Sequence, residues 1–115
     1  VRCAGLPDET GSAVAEFAVA LPAVLLVLAM VLGGIQLGAL QVRVQDAAAD
    51  AARSLGRGDP ASALAARLGR QVPGAHWKST RSGAMVCAHL EASAGGPAAL
   101  LGLTVSATSC AQAEQ

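Results

Sequence analysis

The chain has 115 residues, with 8 Lys+Arg against 8 Asp+Glu, a formal net charge of +0, 53% hydrophobic residues and only 14% charged ones. This leaves room for one small domain or for one long helix and a modest second unit, leans toward a membrane protein, and supplies no basic field that would attract nucleic acid. Aromatic content of 2% leaves Phe17 and Trp77 as the only large rings, so Ala, Gly, Leu and Val must build any core, and such a core buries too little area to favour a free-standing globule.

Arg2, Asp8 and Glu9 precede the first long apolar run, so the N-terminal flank is not basic and the positive-inside rule gives little support for a cytoplasmic N-terminus. Val1 reads as an alternative start or as the edge of a truncated leader. The stretch Gly11-Ser12-Ala13-Val14-Ala15-Glu16-Phe17 then opens an apolar run to Leu40 that is polar only at Gln36. As a helix, Phe17 to Leu40 measures about 36 Å against a hydrocarbon thickness of about 30 Å, so it can span a bilayer. A secretory signal peptide is the competing reading, with Ala47-Ala48-Ala49 downstream as a cleavage site, but its apolar region runs to only about 7–15 residues. Pro22 removes one backbone hydrogen bond inside the run, which predicts a kink. Glu16 at the mouth of the run is the residue that demands an explanation, because a charge at a membrane edge is expensive and marks function.

Gly34 and Gly38 lie four apart on one helix face, and Ala29 with Gly33 makes a second pair of small residues; both would let another helix approach closely. Beyond the run, Leu37, Leu40, Val44, Ala47, Ala51 and Leu55 follow one helical stripe, and Arg43, Asp46, Asp50, Arg53 and Arg57 follow another. One helix is therefore expected to continue through both regions, with weak Arg43–Asp46 and Asp50–Arg53 pairs, until Gly56 and Gly58 stop it. Arg57-Gly58-Asp59 is also the tripeptide of integrin ligands, but Asp59 before Pro60 already has a structural role as the N-cap of a second helix. That helix is predicted from Pro60 to about Leu68, with Leu64 and Leu68 on its apolar face. From Gly69 onward, three strands are predicted at Trp77 to Arg81, Ala84 to Glu91 and Leu103 to Thr108. The first two are joined at Ser82-Gly83, and one helical turn at Ala98 to Leu101 precedes the third. The expected fold is α+β: a long N-terminal transmembrane helix, a short second helix, and a small antiparallel sheet resting against that second helix.

The Gly11 to Pro22 stretch resembles the processing region of type IV pilin-like proteins, and together with Gln41 to Gly58 it is most similar to the TadE-like minor pilins of tight-adherence (Flp-type) pilus systems of high-GC bacteria. The composition suits such a genome, Lys78 being the only lysine. The resemblance implies cleavage by a prepilin peptidase between Gly11 and Ser12 at the cytoplasmic face, with Gly11 lying extended in the peptidase site. Residues 1–11 would be leader, 12–57 the long helix with its span at about 17–40, and 58–115 a small extracytoplasmic domain. Glu16, next to Phe17, would neutralise the new amino group of Ser12 on a neighbouring subunit during assembly. The expected partners are the membrane, the peptidase, and other pilin or pilus-assembly subunits.

Cys3 lies in the leader, which leaves Cys87 and Cys110 as an even pair able to form a disulfide if this portion is outside the membrane. The competing reading is a metal site at Cys87, His89 and His76, but the spacing matches no zinc pattern and no fourth ligand is evident. No nucleophile motif, phosphate loop or paired carboxylates point to catalysis, a cofactor or a small-molecule substrate. Two other functions stay open: an unprocessed single-span anchor with an outer partner-binding domain, and a small secreted disulfide-bonded protein.

Overall fold

The computed structural model describes residues 9–114; Arg2, Cys3 and Asp8 lie outside the described residues. In chain order the elements are helix α1 (Glu9–Arg57), helix α2 (Ala61–Gln71), strands β1 (His76–Ser82) and β2 (Met85–Ser93), a 3-10 helix (Gly96–Leu101) and strand β3 (Thr104–Gln112). The class is α+β, with one long apolar helix, one short helix and a three-stranded antiparallel sheet in the order β1-β2-β3.

The chain divides after Leu32 into two units. In the first, α1 continues through Pro22, and every residue from Gly11 to Leu32 is exposed. Phe17 is 70% exposed and Val19 77%. A helix that is apolar on all sides and covered on none within the chain is long and apolar enough to cross a membrane.

The second unit, Gly33 to Gln115, is built around the stripe expected on α1. Val44, Ala47, Ala48, Ala51 and Ala52 are buried, and they cluster with Leu64 and Leu68 of α2, Val72, and the inward residues Ala88, Leu90, Ala92, Val105 and Ala107 of β2 and β3. The sheet was expected to rest on α2, and Leu64 and Leu68 of α2 do join its inward residues in this cluster, but α1 contributes more side chains to it than α2 does. The cause is side-chain size: a run of alanines on α1 lets neighbouring backbones come close, and the eleven-residue α2 offers only two buried leucines. Hydrogen bonds repeat this arrangement, from Gln41 Nε2 to the Ser106 carbonyl (3.2 Å), from Arg67 to Ser54 Oγ (3.0 Å) and from Gln71 Nε2 to Asp50 Oδ2 (3.4 Å).

Gly56 and Gly58, read together as helix stops, do different things. Gly58 takes φ +83° just past the end of α1. Its N–H donates to the Leu55 carbonyl (3.1 Å) and that of Asp59 to the Ser54 carbonyl (3.0 Å), the paired bonds of a Schellman motif. Gly56 is helical and buried, and an added Cβ there would meet the Gln112 carbonyl oxygen at 2.6 Å. It is glycine because the end of β3 passes against it.

Several expected boundaries shift. Asp59 is not the N-cap of α2: Pro60 holds that position with no side-chain cap bond, and the Asp59 carboxylate instead accepts from Arg57 Nη2 at 3.3 Å. Gly69 does not end α2, which runs on to Gln71 and stops where Val72 N–H returns to the Leu68 carbonyl (2.8 Å). Ser82 belongs to β1, and the hairpin turn is Gly83-Ala84, with Ser82 opposite Met85 and Gly83 at φ +61°. A glycine of positive φ at the first turn position followed by an ordinary residue is the type II′ pattern, whose twist matches paired strands. β3 reaches Gln112, so Cys110 lies inside a strand and not after it. Of the two predicted ion pairs on α1, only Asp50–Arg53 forms, at 3.0 Å. Gln71 of α2 holds the other oxygen of Asp50, whereas Asp46 is exposed with no such anchor.

Candidate functional site

The N-terminal site is assembled by helix spacing. Ser12 and Glu16 are four residues apart and so occupy one face of α1, where with Ala15, Val19 and Ala20 they border a shallow open hollow. Glu16 and Phe17 are both exposed. The Glu16 carboxylate therefore sits at the rim of an otherwise aliphatic surface, in reach of any cation that packs against this face. Gly11 is not extended here: it lies within the first turns of α1, which begins at Glu9. Glycine is a poor helix former, by about 1 kcal/mol relative to Ala, and at a helix start its turn is the easiest part of α1 to unwind.

Gly34 and Gly38 are exposed, and an added Cβ at either would meet nothing within 4 Å. They form an open, shallow strip and pack against nothing within this unit. Gly33 differs: it is buried, and an added Cβ would come within 3.9 Å of Pro97 Cβ.

Cys87 and Cys110 stand directly opposite each other in the β2–β3 register and are joined by a disulfide. With its sulfur committed there, Cys87 cannot serve as a thiolate ligand, and among the described residues no group of three or more His, Cys, Asp or Glu side chains could hold a metal ion. His76 and His89 both lie on the outward face of the sheet. His89 shares hydrogen bonds with Thr108 (2.8 Å) on β3 and Thr80 (3.3 Å) on β1, and so ties all three strands on that face.

Two structural residues escape the sequence patterns. Ser54 is 1% exposed beside the C-terminal end of the apolar stripe. Its Oγ accepts from Arg67 (3.0 Å) and Arg57 (3.4 Å), which satisfies the one buried polar side chain among the described residues. Gly96, at φ +62°, lies so close to Gln36 that an added Cβ would sit 2.5 Å from Gln36 Oε1. Nothing in the sequence signalled this partner.

Among known proteins, the family described as TadE-like protein has a model that matches residues 11–53. No curated protein and no solved structure matches the chain. The matched segment contains Gly11, Ser12, Glu16 and Phe17, the exposed apolar helix and most of the buried alanine stripe that seats the C-terminal unit. Over that segment, 43 of the 115 residues, the chain is similar to the TadE-like family.

Proposed function

We propose that the chain is a minor-pilin-like subunit, anchored in the cytoplasmic membrane by α1 and released from its leader by a prepilin peptidase acting between Gly11 and Ser12. The observation that carries this reading is the exposed Glu16 carboxylate, one helical turn beyond Ser12 at the head of an uncovered apolar helix, within the segment matched to the TadE-like family. Cleavage would give Ser12 a free amino group. In an assembled pair, Glu16 of one subunit would meet the Ser12 amino group of its neighbour, each relieving the other's cost of sitting beside aliphatic side chains.

The remaining geometry supports an assembly role. The C-terminal unit has a small core reinforced by the Cys87–Cys110 disulfide, which suits an oxidising compartment, with the N-terminus on the cytoplasmic side. Gly34 and Gly38 offer a strip where a neighbouring helix could approach. A second reading, an unprocessed single-span anchor, is favoured by the helical state of Gly11, because the Gly11–Ser12 bond must unwind before a peptidase can take it.

Intact-mass measurement and N-terminal sequencing of the protein from membranes of its own host decide between them. A chain beginning at Ser12 supports processing. A chain that retains Gly11 supports the plain anchor, and a start beyond Leu40 overturns both in favour of secretion.

A further inference from the structure

We infer that the tip formed by the 3-10 helix Gly96–Leu101 enters the lipid leaflet on the side of the C-terminal unit, so that the protein holds the bilayer at a second place besides α1. The inference rests on the reading of α1 as the membrane span.

The tip exposes adjacent large apolar side chains, and elsewhere in this unit Ile35, Val42 and Met85 are exposed singly. Leu100 is 90% exposed, Leu101 75% and Leu103 39%. It is also free of charge: no Asp, Glu, Lys or Arg occurs from Ala92 to Ala113. Adjacent exposed leucines in a charge-free loop mark a contact surface, not ordinary solvent-facing chain.

The occupant follows from depth. Gly96 and Pro97 are fixed against α1, with Gly96 at Gln36 and Pro97 at Gly33. About 20 helical residues cross the hydrocarbon layer, and counted from Phe17 they end at about residue 36. The tip is thus tethered where acyl chains give way to headgroups, and what meets its leucines at that level is lipid. Irregular backbone is not tolerated deep in hydrocarbon, but at this boundary an apolar segment can bury one face. Part of the tip's backbone is already satisfied, by bonds from Gly102 N–H to the Ala99 carbonyl (3.1 Å) and from Ala94 N–H to the Leu103 carbonyl (2.9 Å). Charge resumes at the right height. Arg43, exposed and in no ion pair among the described residues, stands about 10 Å along α1 beyond Gln36, within reach of lipid phosphates once its side chain extends along the helix. It borders the hollow between α1 and the loop, together with Leu40, Ser93 and Gly95.

The test uses the full chain in phospholipid vesicles with Trp77→Phe, so that one introduced tryptophan reports alone. Leu100→Trp is compared with Leu28→Trp in the span and Ala63→Trp on α2, using lipids brominated on the acyl chains near the headgroup. Leu100 is 90% exposed, so its replacement removes little packing, and Leu101→Trp serves as a duplicate should circular dichroism show Leu100→Trp misfolded. The expected result is loss of emission at the tip and in the span, with none on α2. Emission at both tip positions that resists bromolipid as Ala63→Trp does, with Leu28→Trp still quenched, overturns the inference and leaves the span intact; a blue shift at the tip without quenching does the same, showing that protein covers it. Resistance at Leu28→Trp as well overturns the span reading and the inference together.

Discussion

Replacing Gly56 by alanine should destabilise the C-terminal unit, although the same change elsewhere on an exposed helix is favourable. Alanine improves helix propensity by about 1 kcal/mol. Against this, the new Cβ would stand 2.6 Å from the Gln112 carbonyl oxygen and 3.6 Å from Ala111 Cβ, and the first neighbour is backbone that cannot rotate away. Separating α1 from the end of β3 also strains the bond from Glu114 N–H to the Gly56 carbonyl (2.8 Å). Overpacking of this kind costs about 1–3 kcal/mol and a weakened hydrogen bond up to about 1.5 kcal/mol, so the net loss should be about 1–2 kcal/mol. For a unit of this size that corresponds to a fall in Tm of about 5–15 °C. Thermal unfolding of the full chain in detergent, followed by circular dichroism, reads it. Gly69→Ala is the control, since Gly69 is helical in α2 and an added Cβ meets nothing within 4 Å; it should raise Tm by a few degrees, in keeping with about 1 kcal/mol or less. If Gly56→Ala rises together with Gly69→Ala, the close approach of β3 to α1 is wrong.

Three further outcomes are expected. Replacing both Cys87 and Cys110 by serine opens a link across a sequence separation of 23 and should lower stability by about 3 kcal/mol in the chain-entropy account, seen as a lower denaturant midpoint; an unmoved midpoint would show that the sheet holds without it. Leu90, the largest of the fully buried side chains, should cost about 2–5 kcal/mol when cut to alanine, and a loss well under 1 kcal/mol would mean that the core is not centred on β2. Glu16→Gln keeps the shape of an exposed side chain and removes its charge, so membrane levels and fold should be unchanged while recovery of neighbouring pilus subunits and pilus assembly drop; normal assembly would sink the charge-pairing role.

Much of this architecture is legible without coordinates because it depends on periodicity. An apolar run without a polar face calls for an apolar surrounding on every side and fits a membrane span, and the stripe from Leu37 to Leu55 keeps its helical phase whatever it packs against, so α1, its inner face and the place of Glu16 follow from residue order. The alternation of β2 and β3 likewise puts Val86, Ala88, Leu90 and Ala92 on one face and leaves Cys87 on the other, where a register pairing with Cys110 becomes possible.

What residue order leaves open is decided by contacts between segments distant in the chain. Gly56 and Gly58 are the same residue two positions apart, yet one is shaped by the carbonyl of Gln112 and the other by its own left-handed turn. Asp50 pairs and Asp46 does not, because Gln71 reaches across from α2 to fix one carboxylate. Ser54 reads as a flaw beside an apolar stripe until Arg67 arrives from another helix to use its oxygen. Sequence by itself determined which faces are apolar and where the chain must turn, since these are local consequences of side-chain chemistry and backbone freedom. Only the tertiary structure determined which small residues are contacts, which charges are partnered, and that Gly96 and Pro97 of the 3-10 helix stand beside Gln36 and Gly33, because each of these depends on distances between parts of the chain that sequence spacing does not constrain.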